Sequence, residues 1–212
     1  TDTDGTVVAV SLYYENILIG VDSISPYTTT WSGTTFGSYN VYAIAEDSDG
    51  LSATSDTALI SIKGKPVITI ISPTSGQNLT EGDNVTIETA AADPDGTIIA
   101  VDFYYDQVLI GTDSLTPFTI DWMDIPSGTF ALTAVATDND GLDTTSTPVN
   151  VVVRDRPNVV ITNPENGNIF IQDEDVLIEA TASDNDGTVS YVEFYYDGNF
   201  IGTDYAAPYS VF

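Results

Sequence analysis

Pairs of aspartates recur along this 212-residue chain in the pattern Asp-x-Asp-Gly. The pairs are Asp2/Asp4, Asp47/Asp49, Asp93/Asp95, Asp138/Asp140 and Asp184/Asp186. Carboxylate oxygens suit Ca²⁺, a hard cation that takes six to eight oxygen ligands. The pattern is not an EF-hand, because Gly follows the second Asp directly and alanine stands at the first ligand position. These ten aspartates are therefore candidate ligands of a different kind of calcium site.

All four basic residues of the chain lie in two short segments. Lys63 and Lys65 precede Pro66, and Arg154 and Arg156 precede Pro157 at the same spacing, 91 residues later. A guanidinium or ammonium group can neutralise clustered carboxylates directly. The four basic residues are thus candidates for salt bridges that stiffen the chain without metal.

A third interpretation of the aspartate pairs needs no ligand at all. The Asp side chain accepts hydrogen bonds from backbone N–H groups just after it, and Gly supplies a positive φ, so the pattern is also good turn chemistry. Calcium binding, salt bridges and plain turns are left open by the sequence.

The positions of these residues follow an internal repeat of 91 residues. Similar segments begin at Asp4, Asp95 and Asp186 and align without a gap, and Trp31 and Trp122 keep the same spacing. The prediction is one complete repeat at 66–156, flanked by 1–65, which lacks its first strands, and 157–212, which lacks its last strands. Half-repeats leave open sheet edges, so we expect the sequence to be part of a longer chain.

Segments rich in Val, Ile, Thr and Tyr alternate with Gly, Asp, Asn and Pro, which is typical of an all-β sandwich. Seven strands are predicted in the complete repeat, without disulfides because the chain has no cysteine. They are placed at 67–72, 84–92, 97–105, 108–112, 117–123, 129–137 and 145–153. Alternation along the third strand directs Val101, Phe103 and Tyr105 inward. Trp122 is expected to be the largest core residue.

Composition excludes several classes of function. The formal net charge of −28 repels nucleic acid and anionic membrane surfaces. No apolar run reaches the ~18 residues of a membrane span. The chain has no His or Cys for a general base, nucleophile or zinc site. A catalytic site also seldom recurs in every repeat, so we do not expect an enzyme.

The recurring motifs resemble those of the bacterial Ig-like domain family. They are A-x-D-x-D-G-T-V at 182–189, V-x-F-Y at 192–195 and I-G-T-D at 110–113 and 201–204, with the tryptophans and the second Asp-x-Asp-Gly following. The resemblance implies tandem immunoglobulin-like β-sandwiches in large secreted or cell-surface proteins. It also implies that the two acidic loops of each repeat lie at the end where the chain enters, so that four carboxylates converge beside the preceding linker.

The function predicted from these observations is a non-catalytic structural stalk of a long extracellular repeat protein, a bacterial or archaeal surface adhesin or filament. Its partners would be neighbouring repeats, other copies of the array, or glycans. The alternative is a spacer or carbohydrate-binding module of a secreted polysaccharide-degrading enzyme. Tyr13, Tyr104 and Tyr195, at one outward strand position, are either an aromatic stripe for sugar or lateral packing, or side chains lying along their own sheet.

Overall fold

The computed structural model describes residues 5–212, and each regular element in that range is a β-strand. The all-β expectation is confirmed. The first part of the chain forms one five-stranded sheet in which β1 lies between β2 and β3, and β4 and β5 both pair with β3. Its strands are β1 Val7–Tyr14, β2 Ile17–Asp22, β3 Gly37–Asp47, β4 Ser52–Thr54 and β5 Ala58–Ile62.

The complete repeat contains nine strand segments rather than the seven predicted. They are β6 Val67–Ser72, β7 Asn78–Thr80, β8 Val85–Ala92, β9 Ile98–Tyr105, β10 Val108–Asp113, β11 Thr119–Trp122, β12 Gly128–Asp138, β13 Asp143–Thr145 and β14 Val149–Arg154. One extra segment, β13, arises because Pro148 cannot donate a hydrogen bond to a strand ladder, and the other, β7, lies between two predicted strands. Strand β6 ends before Pro73, and the predicted last strand is divided around Pro148.

These strands form two sheets. One is six-stranded in the order β10-β9-β12-β14-β7, with β13 on β12, and the other is three-stranded in the order β11-β8-β6. Strand β7 pairs with β14 in parallel, with Leu79 opposite Val153. This parallel pairing brings the turn after β7 beside the end of β14, where the second linker begins.

Aromatic rings fill the space between the two sheets. Trp122 of β11 is 4% exposed. Its ring stacks on Tyr105 of β9 at a centroid distance of 5.0 Å and meets the edge of Phe130 of β12 at 5.4 Å. The same trio recurs in the first part of the chain as Trp31, Tyr14 and Tyr39. The predicted inward positions Val101 and Phe103 are fully buried.

The last part of the chain has five strands: β15 Asn158–Asn163, β16 Ile178–Ser183, β17 Val192–Tyr196, β18 Asn199–Asp204 and β19 Tyr209–Val211. Strand β16 lies between β15 and β19 in one sheet, and β17 and β18 form a hairpin. A small core gathers Ala180, Val192, Phe194 and Tyr209. The hairpin turns at Asp197-Gly198, both with positive φ, as Asp-Gly turns between strands require.

By its internal contacts the chain divides into two compact units. The first combines the residues up to Ile68 with the segments Ala91–Val101 and Val135–Thr145. These two segments contain the acidic loops of the complete repeat, so each loop belongs to the same compact unit as the linker before it. The second unit comprises Thr69–Ala90, Asp102–Ala134 and Ser146–Phe212, and contains the second linker with its own acidic loop.

Candidate functional site at the linkers

Lys63 lies between the two acidic loops of the complete repeat. Its Nζ is 3.0 Å from Oδ2 of Asp140 and 3.6 Å from Oδ2 of Asp95. The backbone N–H of Gly64 donates to Oδ1 of the same Asp95 at 2.9 Å. The hydrogen bond to Asp140 raises the pKa of Lys63, with a smaller contribution from Asp95. One linker side chain therefore joins both loops, as the salt-bridge interpretation predicts.

The second linker repeats the arrangement with arginine. Arg154 Nη1 lies 3.8 Å from Oδ2 of Asp186, and the N–H of Asp155 donates to Oδ1 of Asp186 at 3.2 Å. Each residue in these contacts lies 91 positions after its counterpart in the contacts Lys63–Asp95 and Gly64–Asp95. The pairing of linker and loop thus follows the sequence repeat.

In the four aspartate pairs among residues 5–212, the first aspartate accepts hydrogen bonds from its own loop. Oδ1 of Asp138 accepts the N–H groups of Asp140 and Leu142, both at 2.8 Å. The other first aspartates, Asp47, Asp93 and Asp184, likewise accept the N–H of the residue two positions on. Through these oxygens the first aspartates close their own turns, while Asp95 and Asp140 contact Lys63 of the linker, and the convergence of four carboxylates stays a prediction.

Two of the predicted basic residues do not pair with an Asp-x-Asp-Gly side chain. Lys65 Nζ lies 3.5 Å from the backbone carbonyl of Asp143. Arg156 instead pairs with Asp83 at 3.0 Å and donates from Nε to the carbonyl of Glu81 at 2.8 Å. The cause is the parallel pairing of β7 with β14, which places the turn at 81–83 beside this linker.

Two predicted residues, Asp2 and Asp4, lie outside the described residues. Asp49 is exposed, and among residues 5–212 no Lys or Arg pairs with it. Within the same range, no three Asp, Glu, His or Cys side chains are grouped closely enough to hold a metal ion. Calcium binding stays a prediction on these residues.

Several residues of the second linker were not found from the sequence. The carboxylate of Asp155 accepts the side-chain amide of Asn185 at 2.5 Å, which lowers the pKa of Asp155. The neighbouring Glu81 has a raised pKa, chiefly because its carboxyl group shares a hydrogen bond with Asp155. The proximity of Glu81, Asp155 and Asn185 depends on strand pairing, which a local sequence pattern does not predict.

A third recurring aspartate holds the turn that follows β2, β10 and β18. In the complete repeat Oδ1 of Asp113 accepts the N–H of Leu115 at 3.0 Å, and Oδ2 accepts that of Thr119 at 2.9 Å. These bonds lower the pKa of Asp113 below 3.8. Asp22 and Asp204 make the same pair of bonds and have lowered pKa values for the same reason. The 91-residue spacing of these aspartates could have revealed them.

Asp113→Asn is expected to lower the melting midpoint at neutral pH by roughly a few degrees. Because the pKa is lower in the folded chain, the turn stabilises the fold fully above the unfolded pKa near 3.8 and loses that effect as pH falls through the folded value. The difference between variant and parent should therefore shrink in acid. Thermal melts from neutral pH downward measure it, with exposed Asp56→Asn as control. A difference that stays constant with pH would contradict the assignment.

Comparison with known proteins identifies the family. The model of the bacterial Ig domain matches residues 66–134 and 157–211, which is more than half of the chain. The chain belongs to the bacterial Ig domain family. No curated protein matches it significantly. Both matched segments of the bacterial Ig domain start at a proline that follows a basic linker.

Solved structures show likenesses of the same kind. Fibronectin(III)-like modules of Clostridium thermocellum CbhA are 30% identical, over 72% of this chain and 80% of that one, with a TM-score of 0.39. The eight N-terminal Ig domains of Down Syndrome Cell Adhesion Molecule are 13% identical, over 93% and 32%, with a TM-score of 0.39. Three domains of the bacteriophage RB49 outer capsid protein Hoc are 10% identical, over 96% and 72%, at 0.35.

Ig-like and fibronectin(III)-like domains are commonly parts of multidomain proteins outside the cell or on its surface. They are generally non-catalytic scaffolds, and function depends on the sites that each carries. Residues 5–212 hold no helix long and apolar enough to cross a membrane.

Proposed function

We propose that this chain is a non-catalytic stalk segment of a long extracellular repeat protein, a surface adhesin or filament, whose junctions are stiffened by ion pairs. The observation that supports it is the bridge from Lys63 to Asp95 and Asp140, of which the Lys63–Asp95 contact is repeated by Arg154 and Asp186. A spacer must hold successive repeats in a limited range of orientations. A cation placed between two loops of the following repeat resists bending toward either one.

The alternative, a spacer or carbohydrate-binding module of a secreted polysaccharide-degrading enzyme, uses the same junction. The flanking sequence separates the two, since many further repeats support the stalk and an adjoining hydrolase domain supports the spacer. Lateral association with other copies of the array stays a prediction that sedimentation at several concentrations tests.

Lys63→Gln is expected to loosen the first junction while both sides of it stay folded. The chain lacks cysteine, so spin labels can be placed at the exposed residues Thr57 and Thr147 through cysteine substitutions. Pulsed electron resonance should then show a wider distance distribution for the variant than for the parent, because the two loops lose the charged group that joins them. High salt should widen the parent distribution in the same way, because it screens exposed charges.

Lys65→Gln is the matched control, because within residues 5–212 Lys65 forms no ion pair and its Nζ lies 3.5 Å from a backbone carbonyl. It should leave the distribution as narrow as in the parent. Equal widths for parent, Lys63→Gln and Lys65→Gln would refute stiffening by ion pairs.

Calcium remains a second proposal for the same loops. Asp93 Oδ2 and Asp138 Oδ2 are buried and have no hydrogen-bond partner in the described part of the chain, and a cation would satisfy them. They supply only two of the six to eight oxygens that Ca²⁺ takes, so the residues fit the ion in part. Melting midpoints in calcium and in chelator test the proposal. A midpoint that calcium raises supports it, and identical midpoints reject it.

A further inference from the structure

We propose that the outer face of the β17–β18 hairpin binds a neutral polysaccharide. Four exposed aromatic side chains lie on this face: Tyr191, just before β17, Tyr195 on β17, Phe200 on β18, and Tyr205, just after β18. They are between 51% and 73% exposed. We name these four residues, with Glu193 between them, the aromatic strip.

Strand register accounts for the arrangement. Tyr195 stands opposite Phe200, and Val192 opposite Asp204, so Tyr191 and Tyr205 meet one step further along. The ring centroids are 5.7 Å apart in the first pair and 5.9 Å apart in the second. Tyr191 and Tyr195 are four residues apart on one face, a rise of about 13 Å along the strand. The rings of the two pairs are inclined at 68° and 57°, so each pair offers the face of one ring as a platform, and the two platforms are separated by about the length of a short oligosaccharide.

The strip is specific to this repeat. The positions of Tyr191 and Tyr205 are occupied by Ala100 and Ser114 in the complete repeat, and by Ala9 and Ser23 in the first. Folding of the sandwich therefore does not require aromatic rings there. Exposed aromatic side chains that the fold does not need are typical of binding surfaces.

Glu193, between the platforms, supplies the polar component. Its Oε2 accepts the hydroxyl of Tyr195 at 2.8 Å, which fixes that ring. The remaining carboxylate capacity can accept sugar hydroxyls while the apolar C–H face of a pyranose packs on each ring. Together, ring platforms and one fixed acceptor match the amphipathic surface of a sugar chain.

The negative charge of the protein and the small area of the aromatic strip limit which partners can bind it. Glu193 and the net charge of −28 oppose polysaccharides that carry uronate or sulfate, which leaves neutral chains. A stable protein partner would cover about 800 Å² with a continuous apolar centre. The aromatic strip is narrow and divided by a carboxylate, so it suits a linear sugar polymer better.

The test is affinity electrophoresis of the 212-residue chain in gels that contain soluble β-glucan, xylan or galactomannan, where binding slows the migration of the protein. Titration calorimetry then measures the affinity for each polymer that slows it. At least one neutral polymer should bind, and polygalacturonate should not. Tyr191→Ala with Tyr205→Ser should weaken binding at least about tenfold, equivalent to 1.4 kcal/mol. Both replacements introduce the residues that the complete repeat has at these positions, so we expect the variant to fold. Circular dichroism of the variant checks that it does.

The reciprocal variant, Ala100→Tyr with Ser114→Tyr, should strengthen binding by adding a second tyrosine pair, with Tyr104 on the same strand face. The proposal fails if no neutral polymer binds, or if the variant Tyr191→Ala with Tyr205→Ser binds as well as the parent. A proline-rich peptide is included as an alternative ligand for the aromatic strip, and binding of this peptide alone would also refute the proposal. None of these results bears on the stiffness of the linkers, which is tested separately.

Discussion

Trp122→Ala is expected to destabilise the complete repeat by about 3–5 kcal/mol, the usual cost of removing a buried large aromatic side chain. Trp122 is 4% exposed and packs on the rings of Tyr105 and Phe130. Alanine leaves a cavity beside these two rings. A loss of this size is a large part of the stability of a small domain.

Guanidinium unfolding followed by circular dichroism measures this effect. Trp122→Phe is the matched control and should cost markedly less, because an aromatic ring still occupies the site. The only other tryptophan is Trp31, so fluorescence of either variant reports on the first part of the chain alone. A cost below about 1 kcal/mol for alanine would contradict a central role of Trp122 in the core.

Asp138→Ala is expected to cost about 1–3 kcal/mol, because two backbone N–H groups lose their acceptor. Asp138 is fully buried at the end of β12, and its Oδ1 accepts both of those groups. The loop that carries Asp140 should loosen with it, so the Lys63 bridge should weaken as well. Chemical denaturation gives the free energy, and hydrogen exchange at Asp140 and Leu142 localises it.

Asp138→Asn separates turn chemistry from the effect of charge. Asparagine keeps an oxygen at the Oδ1 position and replaces the unpartnered Oδ2 with an amide nitrogen. If the turn alone matters, Asn should be much less costly than Ala. An equal cost for Asn and Ala would contradict this account, because the oxygen acceptor that asparagine keeps would then contribute nothing.

Strand positions and core residues were predictable because they depend on local pattern. Alternation along β9 correctly placed Val101 and Phe103 inside, and the strand predicted at 67–72 is β6. The repeat gave independent copies of the pattern, which made each assignment more secure. The pair Asp197-Gly198 predicted a hairpin turn because both residue types tolerate a positive φ, and both have one.

The linker contacts were predictable only in part. Sequence spacing predicted that all four linker cations meet the acidic loops, and Lys63 and Arg154 do so. It could not indicate that Asp95, Asp140 and Asp186, rather than the first aspartates of their pairs, contact a linker cation, since both members are the same residue type. The contact of Arg156 with Asp83 depends on a parallel strand pair, which brings together residues far apart in sequence.

The two linkers fit their loops by different matched pairs of residues. A side chain at Gly64 would approach Pro94 to 2.6 Å and Asp95 to 2.7 Å, so glycine is required there. The second linker has Asp155 at the equivalent place, and Asn185 replaces the proline and binds it. A linker is therefore compatible with the repeat that follows it rather than with any repeat. During duplication and recombination of such a gene, the inherited unit would be a linker together with the next domain, and exchanges that split this unit would be counter-selected.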